Sequence, residues 1–376
     1  MVNPPFVFGR IVDKENFVDR EADRERLSRN FRSLVNTTII SPRRWGKSSL
    51  VQKVAEDLVS TDPSVRVCMI DIFTVRSEAE FYAHLAHGVM KVTMTKWDEW
   101  VEAAHQFMSH LRPTVAISAG QTPEITLDVD WQKAQADPDE VLDLAEKIAE
   151  SKRIQLVICV DEFQAIADFP DSVAFQRKLR SHWQQHQRVA YCLYGSKRHM
   201  LMDIFSNPDL PFFQFGDIMI LEKIDNAIWG EFIAHRFADT GKLITSEQGR
   251  YIAALVDNHS YYVQQLAQQA WFRSDTVCTA QIIDAAMADL TNQLSLLFQG
   301  VVGSLTARQL GFLRAVVNQE PQLSSKQTIL RYDLGTSANV QRIKESLVTR
   351  EIIDVEGRDI QILDPVFKHW FLTQYL

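Results

Sequence analysis

The tetrapeptide Thr37-Thr38-Ile39-Ile40 has the β-branched, apolar character of a buried strand and runs directly into Ser41-Pro42-Arg43-Arg44-Trp45-Gly46-Lys47-Ser48-Ser49. A helix-compatible run, Leu50 to Leu58, follows. A strand that passes to a helix through a short Gly-Lys-Ser loop leaves few folds open, because the loop must leave the carboxyl end of the strand and the helix must pack back on the sheet. In such a loop, successive backbone N–H groups and the helix N-terminus converge on phosphate oxygens. Lys47 then reaches the outer phosphates, the Ser48 hydroxyl ligates Mg²⁺, and Gly46 permits the close backbone approach. The loop departs from the usual pattern at its first position, where Ser41 replaces glycine.

The first 225 residues carry four more runs of strand character, Val65 to Phe73, Leu156 to Val160, Val189 to Tyr194 and Asp217 to Leu221. Most are near-continuously apolar, as strands covered on both faces are, and the gaps between them suit crossover helices. This predicts an α/β fold with a parallel sheet. Two alternating segments, Pro113 to Ser118 and Glu124 to Val129, lie between the second and third runs and predict an inserted β-hairpin. The third run ends in Asp161-Glu162. Paired with the loop, Asp161 suits the Mg²⁺ shell and Glu162 suits the group that orients or deprotonates an attacking water. Gln164 fits either a water-positioning or a solvated helix-start residue.

From Asn226 to about Gln299 the strand signal gives way to helical spacing, as in Ile228, Trp229, Phe232, Ile233 and Phe237. The last segment reads as a helix (Thr306 to Asn318), a polar stretch, a second helix (Ser337 to Arg350), and two strands turning at Glu356-Gly357, the order of a winged helix-turn-helix. The expected division is residues 1–225 as core, 226–300 as a helical lid and 301–376 as the winged helix. A length of 376 residues accommodates that, at about 100 to 200 residues per domain.

The loop, Asp161-Glu162, Phe17-Val18-Asp19-Arg20-Glu21, Leu193-Tyr194-Gly195-Ser196 and the terminal Asp364-Pro365-x-Phe367-x-x-Trp370 together resemble the archaeal-type P-loop ATPases, which are placed near the AAA+ and STAND groups. The resemblance spans essentially the whole chain, with the loop and Asp161-Glu162 as its Walker A and Walker B elements. It implies a nucleotide-binding core, a helical lid and a C-terminal winged helix. It also implies that Phe17 to Glu21, including Arg20, packs near the adenine and that Ser196 lies near the γ-phosphate in the sensor-one position. From the residues alone, Gly195-Ser196 is equally a strand-ending turn. Asn258 to Tyr262 resembles the family's Gly-His-Pro-Tyr turn with serine in place of proline, where His259 either senses nucleotide or caps a helix. Relatives often carry an arginine shortly before the fifth strand. Met202 to Asp217 contains none, which leaves Arg177, Arg180, Lys197 and Arg198 either as substitutes or as ordinary surface residues.

Composition decides what such a protein acts on. The formal net charge is −8, which excludes a basic nucleic-acid coat. From Leu305 onward there are nine basic and eight acidic residues, a near-neutral balance for a DNA-binding module. Asn339, Gln341, Arg342 and Lys344 on the second helix are nevertheless the right types for base and phosphate contacts. Both DNA and a protein partner stay open for residues 301–376, as does a homo-oligomer. The four cysteines are widely spaced and read as core residues, no stretch approaches the roughly 18 apolar residues of a membrane span, and the N-terminus has no leader pattern. A cytoplasmic protein that engages no membrane is expected. Neither the clustered His84, His87, His105 and His110 nor the His182 and His186 pair has the ligand spacing of a metal site. The expected activity is slow ATP hydrolysis with ATP or ADP and Mg²⁺ bound, working as a conformational switch. The alternative is an ATP-responsive DNA-binding regulator with little or no turnover.

Overall fold

The computed structural model describes residues 3–10, 17–94, 112–116, 124–128, 138–357 and 359–375, with the backbone alone for the two short segments between 112 and 128. The chain divides into two compact units, one of Arg20–Arg43 with Lys47–Glu222, the other of Met1–Asp19, Arg44–Gly46 and Lys223–Leu376.

The first unit opens with α1 (Glu21–Arg32), β1 (Thr37–Ile40), α2 (Lys47–Thr61), β2 (Val65–Asp71) and α3 (Glu78–Thr93). The hairpin β3 (Arg112–Ala116) and β4 (Glu124–Asp128) follows, paired antiparallel from Arg112↔Asp128 to Ala116↔Glu124, so the two alternating segments form the ladder expected of them. Then come α4 (Pro138–Leu142), α5 (Leu144–Lys152), β5 (Gln155–Asp161), a 3-10 turn (Phe163–Asp168), α6 (Ser172–Trp183), β6 (Val189–Gly195), α7 (Arg198–Ser206) and β7 (Asp217–Ile220). The five long-range strands form one parallel sheet in the order β2-β5-β6-β1-β7.

All of β1 and β6, and β5 apart from its ends, are buried, as their unbroken apolar sequences require. Trp183 of α6 lies flat on Tyr191 of β6, ring centroids 4.0 Å apart, and Phe212 packs edge-on against Phe163 at 5.3 Å. Such ring pairs add about 0.5–1.5 kcal/mol beyond the area they bury. Phe212 and Phe215 are therefore core residues, and Arg180 closes this corner by donating to the carbonyls of Pro211 and Phe213. An arginine committed to two carbonyls is a packing device, so Arg180 is removed from the substitutes for the missing family arginine. Cys68, Cys159, Cys192 and Cys278 are buried free thiols.

The second unit is helical, with α8 (Asn226–Ala238), α9 (Ser246–Leu255), α10 (Ser260–Arg273) and the long α11 (Ala280–Gly303). Thr245 with Gln248, and Thr306 with Gln309, form reciprocal capping boxes that fix the starts of α9 and α12 (Ala307–Val317). α11 continues through residue 300, where the sequence reading placed a boundary. No proline interrupts it, and its glycines, Gly300 and Gly303, fall at its very end.

Beyond α12 the polar stretch contains a further helix, α13 (Lys326–Arg331), capped by Ser325, whose hydroxyl accepts from the Thr328 N–H at 3.1 Å. With six residues and only Thr328 buried, α13 has no apolar period to read. α14 (Ser337–Thr349) follows, then β8 (Ile353–Glu356) paired antiparallel with β9 (Asp359–Ile362), then α15 (Pro365–Tyr375). The turn between the strands holds Gly357 at φ 61°, a left-handed conformation that glycine adopts without penalty. Asp364 ties α15 down with both oxygens. One accepts from the N–H groups of Val366 and Phe367, each at 2.9 Å, and the other from the Tyr262 hydroxyl of α10 at 2.5 Å. Replacing Tyr262 by Phe removes a hydrogen bond to a charged group, which contributes about 1.5–3 kcal/mol. The Tyr262→Phe chain should therefore unfold at a lower urea concentration than the parent, and an unchanged midpoint would show that Asp364 is held by its cap alone.

Candidate functional site

The loop after β1 turns through two left-handed residues, Arg44 at φ 65° and Gly46 at φ 93°. Nothing lies within 4 Å of where a Cβ on Gly46 would stand, so glycine is required there by backbone conformation and not by lack of space. Ser41 is fully buried, keeps an ordinary φ, and donates its hydroxyl to the Pro42 carbonyl at 3.2 Å. The first loop position thus needs no positive φ, and the serine is accommodated. α2 begins at Lys47, which places its free N–H groups at the end of the loop.

Lys47 is only 6% exposed, Ser49 is buried beside it, and Arg43 is exposed. Within the unit that contains Arg44–Gly46, the Arg44 guanidinium lies 4.4 Å from the Tyr261 ring centroid and Lys223 Nζ lies 5.8 Å from that of Trp45. His259, the first residue before α10, makes no side-chain cap, and its Nδ1 is buried without a partner. Burial, with the charges of Lys223 and Arg44, pushes its pKa down to about 4, so the ring is neutral near pH 7.

The Ser48 hydroxyl donates to Asp161 Oδ2 at 2.9 Å, joining the start of α2 to the end of β5. Between β5 and β1 runs β6, which ends at Gly195 with Ser196 next. Parallel pairing brings these three carboxyl ends to one edge of the sheet. Ser196 donates its hydroxyl (2.9 Å) and its N–H (3.3 Å) to Glu162 Oε2, and Gln164 Nε2 donates to the same oxygen. Glu162 itself sits at φ 56°, a conformation costly for a residue with a Cβ, of the kind that persists where surrounding structure holds it.

The two carboxyls are tuned in opposite directions. Burial drives Asp161 above the ordinary aspartate range, against the lowering effects of the Ser48 hydrogen bond and the Lys47 charge. Burial also pushes Glu162 upward, but the hydrogen bonds from Gln164 and Ser196 and the nearby Lys47 charge outweigh it, so its pKa falls below the usual value. A hydroxyl and a carboxylate converging in this way are the hard oxygen donors that Mg²⁺ takes, with the rest of its shell left to phosphate and water. Among the described residues no group of three or more His, Cys, Asp or Glu is assembled as a metal site. His182 and His186 instead share one oxygen of Asp143, at 2.7 and 3.4 Å.

Lys47, Ser48, Asp161, Glu162 and Ser196 thus form one cluster, and Arg20 has partners at the start of α1. Its guanidinium pairs with Asp23 at 3.0 Å and donates to the Glu222 carbonyl at 2.9 Å, which makes it an anchor for the start of α1. Phe17 is half-buried and borders an open cleft with Ile228 and Phe232 of α8. The sequence leaves the role of Gln164 open and offers Gly195 only as part of a strand-ending turn. The signal for both is steric: a Cβ at Gly195 would stand 1.8 Å from Gln164 Oε1.

Residues 296–373 match the family model of a probable winged helix domain. No curated protein matches the chain. Among solved structures, the Walker-type ATPase of Pyrococcus abyssi is similar at TM-score 0.68 and 15% identity over 98% of this chain and 99% of that one. The ORC2 protein of Aeropyrum pernix is similar at TM-scores of 0.57 in its ADPNP-ADP complexes and 0.55 in its ADP form, each at 13% identity over 98% of this chain and 99% of that one. At these identities the likeness is one of fold. The α/β parallel sheet with a C-terminal winged helix is therefore established.

Because Asp161 has a raised pKa, folding favours its protonated form. Its contribution to stability is full below the unfolded pKa and is lost as pH rises through the folded pKa. Asp161→Asn should accordingly raise the melting temperature of the nucleotide-free protein near pH 7 while weakening Mg²⁺-dependent nucleotide binding. A lower melting temperature at pH 7 than at pH 4, relative to the parent at each pH, would contradict that sign.

Proposed function

We propose that the chain is a Mg²⁺-dependent ATP-binding and ATP-hydrolysing P-loop protein that acts as a conformational switch for a partner of its winged helix. The observation that carries this reading is the Ser48–Asp161 hydrogen bond, with Lys47 and Glu162 beside it, at the carboxyl edge of the parallel sheet. In this reading the loop amides and Lys47 bind and orient the β- and γ-phosphates, and Ser48 and Asp161 hold Mg²⁺. The metal, when bound, neutralises charge on the phosphate oxygens.

Glu162 accepts a proton from water as the water oxygen bonds to the γ-phosphorus and the bond to the bridging oxygen breaks, leaving ADP and phosphate. Ser196 orients the carboxylate. In this reading turnover is slow, of the kind suited to a switch. The shared fold of the Pyrococcus ATPase and of ORC2 in its ADP and ADPNP complexes supports a nucleotide site. The buried free thiols suit a reducing cytoplasm.

The charge pattern of the winged helix favours a protein partner over DNA. Arg314 lies over Tyr375, Arg331 pairs with Glu320, Arg350 with Ser304 and Lys368 with Asp257. Asn339 donates to the Leu334 carbonyl at 2.7 Å and Gln341 to Glu345 at 2.8 Å, so two of the four candidate base readers on α14 are already engaged. Few phosphates can be neutralised by what remains, Arg342 and Lys344 chief among them, and counterion release is correspondingly small.

Lys47→Ala should abolish detectable ATP binding by calorimetry, and Glu162→Gln should keep binding but slow phosphate release by orders of magnitude. Parent-like binding in the first or parent-like turnover in the second would remove that residue from its role. Any DNA binding should be weak and lost by moderate salt, and the Arg342→Glu/Lys344→Glu pair should eliminate it without altering ATP affinity. Tight, salt-resistant binding in a filter or anisotropy assay would reverse the preference for a protein partner.

A further inference from the structure

Gln164 is buried at 4% exposure in the 3-10 turn that follows β5, and its amide is satisfied on one side only. The Nε2 group donates to Glu162 Oε2, while Oε1 is buried with no hydrogen-bond partner. Turning the amide over would set its oxygen against a carboxylate oxygen, so the orientation is fixed by charge. The space for Oε1 exists only because residue 195 is glycine: a Cβ there would lie 1.8 Å from Oε1, 2.9 Å from Gln164 Cδ and 3.3 Å from the Cα of Glu162.

For packing alone this arrangement is a poor one. A buried carbonyl without a donor costs stability, and a leucine of similar volume would fill the site without that cost. The benefit lies at Glu162. Gln164 Nε2, Ser196 Oγ and Ser196 N–H all converge on Oε2, and among the described residues no donor reaches Oε1. One oxygen is saturated and the other is left to receive a proton.

Resting on the ATPase reading above, we propose that Gln164 is a positioning residue for hydrolysis: it locks the Glu162 carboxylate so that Oε1 alone faces the attacking water, and Gly195 is the glycine that admits it. The charged groups facing Glu162 are Lys47 and Asp161, and its hydrogen-bond donors are Gln164 and Ser196. Removing the Gln164 donor leaves Oε2 held by Ser196 alone, and the carboxylate loses the contact that fixes its rotation.

The test is steady-state hydrolysis of Mg-ATP by the full chain, with melting temperatures, for the parent, Gln164→Leu, Gly195→Ala and the double variant. Gln164→Leu should lower kcat about tenfold or more with KM within about twofold. Gly195→Ala, which displaces the amide without deleting it, should reproduce the loss of kcat, and the double variant should be no slower than Gln164→Leu alone. Parent-like kcat in Gln164→Leu would overturn the proposal, as would a loss of kcat matched by a rise in KM or by a lower melting temperature. With Glu162→Gln as control, these outcomes are distinct from failure of the ATPase reading. If Glu162→Gln turns over like the parent, or the parent does not hydrolyse ATP at all, that reading and this one fall together.

Discussion

Every strand of the large sheet points the same way, and the position of the candidate site follows from that. Parallel strands covered on both faces hide all their side chains, so polar chemistry can appear only where a strand ends. β1, β6 and β5 are neighbours in that order, and each ends in a residue or loop of the cluster: the phosphate loop, Ser196 and Asp161-Glu162. Ser48 and Asp161 are 113 residues apart along the chain, yet the sheet spacing brings them within 2.9 Å. The apolar content of the strands and the polar content of their termini are therefore two expressions of one requirement.

Much of this was legible because unbroken apolar runs and Gly-Lys-Ser are local signals. The runs at residues 37–40, 189–194 and 217–221 match observed strands to within a residue at either end, the first two because buried parallel strands have no exposed face to blur their limits. Elements that depend on tertiary support were not legible. α13 is six residues long with one buried side chain, and what marks its start is the Ser325 cap. Arg20 lies within the family-like segment at residues 17–21, and of its partners, Asp23 and the Glu222 carbonyl, one is 202 residues away, which no local pattern reveals. The place of Gln164 depends on a missing methyl group on another strand.

The cluster also shows local stability given up at a single point. Glu162 adopts a left-handed backbone, Gln164 buries an unpaired carbonyl and Asp161 has its pKa raised by burial. Each is unfavourable alone. They are tolerated because β5 and β6 on either side are almost wholly apolar and packed by the Trp183, Tyr191, Phe163 and Phe212 rings. A rigid interior beside strained polar groups is what keeps a carboxylate in one orientation.

The close approach at Gly195 also bears on how the sequence can drift. Because the Gln164 amide occupies the volume that any larger residue at 195 would need, the two positions are not free to vary separately. A lineage that acquires alanine at 195 must move, shorten or lose the amide at 164, whereas one that loses the amide is released from the glycine. The two positions should therefore vary together, with residues larger than glycine at 195 concentrated where the glutamine has been lost.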